Sequence, residues 1–355
     1  MEKSLKGALG RMAVPLAIVV AVLGTSGCKK LFKRKGADAG AATTTAAQDA
    51  VDEADEQLSK KLDEYIKCLN ALSSNVHSSR RRYLQYIPKA GPTGRERFAD
   101  LYRLRPGAVA QCRAGITRAA AIEPDDKALE GAAQEYANAS AAIDSLMNTA
   151  DRYYESKEFL ADKWARGKIM HPQLMSAFDR FGKADSALHT ELDKHTKPLA
   201  KRALERIDRF DGKKFRYWRK STLIHAREVI ESADPIGDDD DVDVALLSTN
   251  FTEFETALDA LEAYGSGNRA ELDAQGNPNW PVSAAHYDSF LGAATQFRIK
   301  AKAYLACLNG APEKAKAPSG KVDPDLMGPC PAGRPHDVVD KYNNFIRTSN
   351  ANQFP

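Results

Sequence analysis

Four acids stand at a spacing that could do chemistry. Asp151, Glu155, Glu158 and Asp162 follow one another by four, three and four residues. On a continuous helix that spacing places all four on one face. Aligned carboxylate oxygens are what a hard cation takes, so the quartet is a metal-site candidate. A cation pocket also draws ligands from a second element, and none is visible in the sequence. The polar face of a bundle helix explains the same pattern, and no metal or other cofactor is expected.

A second constellation is basic and aromatic. "KKFRYWRK" interleaves Phe215, Tyr217 and Trp218 with Lys213, Lys214, Arg216, Arg219 and Lys220. Outside the cytoplasm this composition suits an anionic lipid or glycan surface. The plainer reading is a helix with its aromatics inward and its charges in water. "GDDDDVD" has the composition of a calcium loop without the alternate ligand spacing and closing Glu of an EF-hand. It reads as a solvated loop whose last acids complement the next helix N-terminus.

None of the seven histidines lies in HExxH. "HTELD" carries His189 but lacks the second His four residues on. His171 precedes Pro172 and reads as a helix cap, and His225, on a partly apolar face, reads as a satisfied interior residue. Serines are plentiful, yet none sits in a GxSxG elbow. With no nucleophile located, the chain is not expected to be an enzyme.

One cysteine has a chemistry of its own. Lys3, Lys6 and Arg11 precede the apolar run Met12 to Gly24, and the small residues Thr25, Ser26 and Gly27 lead to Cys28. A basic start, a short apolar core and small residues before a cut make a secretory signal. The core is shorter than the roughly 20 residues a membrane span needs. Small residues ending in Cys resemble a lipobox, although Thr25 stands where Leu is commoner. The sulfur of Cys28 would then take a diacylglycerol and its new amino group a fatty acyl chain such as palmitate. Several chains plus Lys29, Lys30, Lys33, Arg34 and Lys35 would hold an anionic membrane firmly.

Charge and cysteine usage agree with export. The leader removes three of the 51 basic and one of the 48 acidic residues, leaving side-chain charge near neutral. That excludes the strong basic excess of a nucleic-acid binder. Four cysteines remain, Cys68, Cys112, Cys307 and Cys330, an even number that suggests disulfides in an exported chain. Of the three possible pairings, proximity favours Cys68–Cys112 and Cys307–Cys330. A four-thiolate zinc site would need close CxxC pairs, which are missing.

The elements that must position these residues are helices. "GADAGAATTTAA" reads as a flexible spacer, and 28–48 as a lipidated tether. From Asp49, Leu58, Leu62, Tyr65, Leu69, Leu72, Val76 and Tyr83 recur by fours and threes, with Ser79 filling one slot, until Pro88. A shorter helix is expected around Phe98 to Tyr102 and again over Val109 to Ile122. A stripe of Leu129, Ala133, Tyr136, Ser140, Ile143, Met147, Ala150 and Tyr154 predicts a helix from "EPDD" to about Trp164. "HPQL" starts another at His171, with Leu174, Phe178, Phe181, Leu188 and Leu192 on one side; Pro198 kinks or restarts it. Further helices are expected over 213–233, 242–264, 282–308 and 337–348. The segment 234–243 is a possible sub-boundary, and 311–355 reads as a Pro/Gly-rich excursion and a last helix. No convincing alternating strand, Rossmann glycine motif or P-loop is present. The fold class is all-α, an elongated antiparallel helical bundle behind a lipoprotein signal peptide and flexible tether.

"KLDEYIKCLNAL" (61–72), "YYESKEFLADKWARGKIMHPQLMSAFDRF" (153–181) and "AYLACLNG" (303–310) resemble the YiiG-like bacterial lipoproteins, a family carried as a domain of unknown function. The likeness covers roughly Glu53 to Gly310, with the Cys330 region and the tail outside it. It implies an exported, lipid-anchored helical domain and supplies no catalytic residues. The expected role is a bacterial envelope lipoprotein facing the periplasm that binds or scaffolds an envelope protein, lipid or glycan. The alternatives are an enzyme acting on envelope polymers and a metal- or small-ligand-binding receptor.

Overall fold

The computed structural model describes residues 39–233, 241–269, 276–277, 280–281, 284–328, 330 and 335–351. The expected leader, Cys28, the basic residues after it and the acidic run 234–240 lie outside the described residues. Nine helices are described: α1 (Ala39–Tyr86), α2 (Ala108–Ala120), α3 (Lys127–Glu155), α4 (Glu158–Ala161), α5 (Ala165–Asp211), α6 (Phe215–Ala233), α7 (Val244–Gly267), α8 (Ala284–Asn309) and α9 (Pro335–Ala351). The only strands among the described residues are Gly276–Asn277 and Trp280–Pro281, a two-residue antiparallel pairing. The fold is all-α.

The chain divides into two compact units at Leu199/Ala200, within α5, rather than at 234–243. The reason lies in packing. α6 and α7 flank the acidic run and pack on each other, so that run connects elements of one unit.

In the unit that ends at Leu199, the periodic stripes become the core. Leu62, Tyr65, Leu69, Leu72, Val76 and Tyr83 of α1 are buried, and so is the whole α3 stripe from Leu129 to Tyr154. Leu174, Phe178, Phe181, Leu188 and Leu192 of α5 join them. Each such large side chain contributes about 1.5–3 kcal/mol relative to exposure. Asp126 caps α3, its carboxylate accepting from the amides of Ala128 and Leu129.

Several boundaries differ from expectation. α1 begins at Ala39, so part of the expected spacer is helical; alanine is the best helix former and the segment has no proline. Residues 98–105 are not helical. The Ser79 hydroxyl donates to the Tyr102 carbonyl (2.9 Å) and accepts from its amide (3.1 Å), so that backbone is satisfied by α1 instead. Pro106 also disfavours helix at Arg105. α5 begins at Ala165 and continues through Pro172 and Pro198, so His171 does not start a helix.

In the unit that begins at Ala200, α6 packs against α7 and α8 against both α7 and α9. Phe254, Phe290, Phe297, Tyr342 and Phe345 form its aromatic centre, with Phe254 and Phe297 ring centres 5.2 Å apart. The Asp243 carboxylate accepts from the Leu246 amide (3.0 Å), so the last acid of "GDDDDVD" does cap the next helix. Val242 pairs with Val322, drawing the Pro/Gly-rich excursion onto the unit.

Both expected disulfides form. Cys68 and Cys112 join α1 to α2 with Cα atoms 4.5 Å apart. Cys307 and Cys330 tie the excursion to α8 with Cα atoms 6.2 Å apart.

Candidate functional site

α6 and α7 bring three metal-ligating side chains together. His225 and Glu228 lie one turn apart on α6, and Glu253 reaches them from α7. His225 Nδ1 is 2.8 Å from Glu228 Oε2 and 3.5 Å from Glu253 Oε2. One donor atom from each residue lies within 4.8 Å of the other two. His225 is a quarter exposed and Glu253 half exposed, so the cluster is open to water on one side.

Asn250 sets the register that makes this possible. Its amide donates to the Glu228 carbonyl (3.1 Å) and to the Ser232 hydroxyl (3.2 Å). Glu253 is three residues beyond Asn250, on the same face of α7. Beneath them, Ala226, Val229 and Ile230 of α6 and Leu247, Phe251 and Phe254 of α7 are buried. The polar cluster therefore stands on a packed apolar seam between two helices. A H-x-x-E spacing in the sequence holds two of the three residues of this cluster; the partner Glu253 has no local signal. His225, expected as a satisfied interior residue, is a quarter exposed and bonded to Glu228.

The acidic quartet does not share a face. α3 ends at Glu155, and Lys157, Lys163 and Trp164 all adopt positive φ. The chain turns instead of continuing. Asp151 pairs with Arg103 (3.0 Å) and Glu158 with Arg166 (3.1 Å). Asp162 accepts from the Tyr153 hydroxyl (2.8 Å) and the Arg166 amide (3.1 Å). Glu155 is exposed. Left-handed residues other than glycine are costly. Phe159 and Trp164 packing on each other at 4.5 Å and on Tyr154 offsets that cost.

The basic segment is divided as well. Lys213 and Lys214 are exposed, and Arg216 pairs with Asp211 (3.2 Å). Trp218 is half-buried, edge-on to Tyr217 at 4.8 Å. Arg219 is buried, donates to the Ser349 hydroxyl (2.9 Å) and lies over the Phe290 ring. Burial, with Arg219, Arg216 and Arg206 nearby, pulls the half-buried Lys220 ammonium down to about 8. Six residues expected on one anionic-binding surface thus range from the exposed Lys213 and Lys214 to the buried Arg219.

Three other histidines serve the fold. His171 is buried, with Nε2 donating to the Lys89 carbonyl (3.0 Å). Its Nδ1 is left as an acceptor and faces the Tyr83 hydroxyl at 3.0 Å. His189 donates through Nδ1 to the Asp185 carbonyl (2.9 Å). His77 lies 3.4 Å from the buried Asp185 carboxylate. Around this group Tyr136 is pushed well above its ordinary range by burial and by the Asp185 charge.

A separate surface recess of about 810 Å³ lies where residues 103–107 meet α2 and α3. Arg103, Arg105, Arg113, Asp144 and Asn148 give it a polar wall. Among the described residues no helix is long and apolar enough to cross a membrane.

Residues 56–351 match the family model described as protein of unknown function (DUF3829). The chain belongs to the DUF3829 family. Its DUF3829 region runs past Gly310 through Cys330 to the end of α9 at Ala351, so most of the tail expected to lie outside the likeness is part of it. Uncharacterized protein YiiG of Escherichia coli (strain K12) is 28% identical over 272 residues, covering 76% of this chain and 71% of that protein. No solved structure matches the chain.

Proposed function

We propose that this DUF3829 protein is an exported envelope lipoprotein, anchored through lipid on Cys28, whose helical body binds or scaffolds a partner outside the cytoplasm. What carries the reading is the disulfide in each compact unit behind a leader-like stretch that runs up to Cys28. Such bridges persist in oxidising compartments and are rare in the cytosol. The arginine-walled recess favours contact with a polar, anionic partner over enclosure of an apolar ligand.

The test is intact-mass analysis of protein purified in detergent from its own host. The expected mass is that of a chain starting at Cys28 with acyl glycerol added. Blocking lipoprotein signal peptidase should leave a precursor that keeps residues 1–27. A mature amino terminus with an unmodified Cys28 sulfur would remove the anchor from this reading.

A further inference from the structure

We propose that His225, Glu228 and Glu253 bind a divalent transition-metal ion of the zinc type. The inference concerns the body of the protein and stands whether or not Cys28 carries lipid.

The donor set is the first argument. One imidazole nitrogen and two carboxylate oxygens make a borderline ligand field that suits zinc. Calcium takes six to eight oxygens, and three side chains with one nitrogen do not provide them. The ligands also come from two helices that pack on each other.

The distances are the second. Ligands about 2.0–2.2 Å from one tetrahedral zinc ion lie roughly 3.3–3.6 Å from one another. His225 Nδ1 and Glu253 Oε2 are already 3.5 Å apart. His225 and Glu228, at 2.8 Å, need to open by less than an ångström, which a glutamate one-third exposed achieves by rotating about its side-chain bonds. Water fills the open position.

The third is electrostatic. His225 Nδ1 faces two carboxylates at once, so in the metal-free chain that nitrogen is the N–H donor to them. A metal ion in place of that hydrogen engages all three donors. An occupied site would join α6 to α7 at the level where Asn250 already sets their register.

The full chain, without an affinity tag, is stripped with chelator and dialysed against zinc chloride, with affinity read by competition with a chromophoric chelator. One zinc ion per chain is expected. Glu253→Gln and His225→Ala should each weaken binding by more than about tenfold, whereas His195→Gln, whose histidine pairs with Asp126 at 2.9 Å in the other unit, should not. Cobalt should give visible d–d bands that Glu253→Gln abolishes. Glu253 is half exposed, so that variant keeps its fold, as circular dichroism would verify. No saturable zinc in the wild-type chain, or zinc binding undiminished in both ligand variants, would overturn the proposal.

Discussion

Lys61 Nζ lies 2.5 Å from Glu130 Oε1 and 2.8 Å from the Pro124 carbonyl, with the lysine side chain wholly buried. A buried ammonium must keep its partners, because desolvating an unpaired charge costs several kcal/mol. Glu130→Gln should therefore lower unfolding free energy by about 2 kcal/mol, tempered by the glutamate's own partial exposure. Lys61→Met/Glu130→Gln should recover part of that loss, since it removes the charge left behind. Urea unfolding of the two variants decides; a double variant no better than Glu130→Gln would contradict this account.

Acid should weaken the unit ending at Leu199. Carboxyls held below their ordinary values there include Glu130, by the Lys61 bond, Asp126, by the Leu129 amide, and Glu96, down to about 2. Burial raises Glu96, but bonds from the Thr93 amide and hydroxyl and the Gly94 amide outweigh it. A depressed carboxyl stabilises fully above its unfolded value, about 4.3 for Glu, and that contribution disappears as pH falls through the folded value. Asp144 and Asp151, raised by burial, work in the opposite sense. The urea midpoint should drop from pH 5 to pH 3, and drop less in Glu96→Gln. An equal drop in both proteins would remove Glu96 as a cause.

The two bridges should matter to different extents. Cys68–Cys112 closes 44 residues and Cys307–Cys330 closes 23. Loop entropy gives upper figures of about 4 and about 3.4 kcal/mol. Paired Cys→Ala substitutions measured by urea unfolding should rank in that order. The reverse order would mean that native contacts, not loop length, set the effect.

Gly265 has no room for a methyl group. A Cβ there would overlap the Tyr287 ring of α8, and the Tyr287 hydroxyl donates to the Leu261 carbonyl (3.2 Å). Gly265→Ala should cost about 3 kcal/mol, the high end for overpacking, despite the better helix propensity of alanine. A neutral or raised melting temperature would show that Tyr287 moves aside freely.

Tyr83→Phe should leave the buried His171 Nδ1 without its donor. The Tyr154 hydroxyl, 3.4 Å from that of Tyr83, loses a partner too. A loss of about 1–2 kcal/mol is expected. Thermal unfolding within error of wild type would mean that a water replaces the hydroxyl.

The helical core was readable because periodicity is a local signal. The α3 stripe from Leu129 to Tyr154 and the α5 stripe from Leu174 to Leu192 are buried as their spacing implied. The acidic quartet shows where such counting stops: spacing means adjacency only while the helix continues, and nothing glycine- or proline-like marks the turn at Lys157. Arg219 was equally illegible, because its burial depends on Ser349 and Phe290, far along the chain.

By itself the sequence determined an all-α chain, and its cysteine spacing favoured the two bridges that form. Those features depend on neighbours along the chain or on loop length. Tertiary structure alone decided that the units part at Leu199/Ala200, that Gly265 must stay small, and that His225 and Glu228 meet Glu253. Each of these depends on which faces of separate helices pack together, a choice made by side-chain shape across the core and carried by no single stretch of residues.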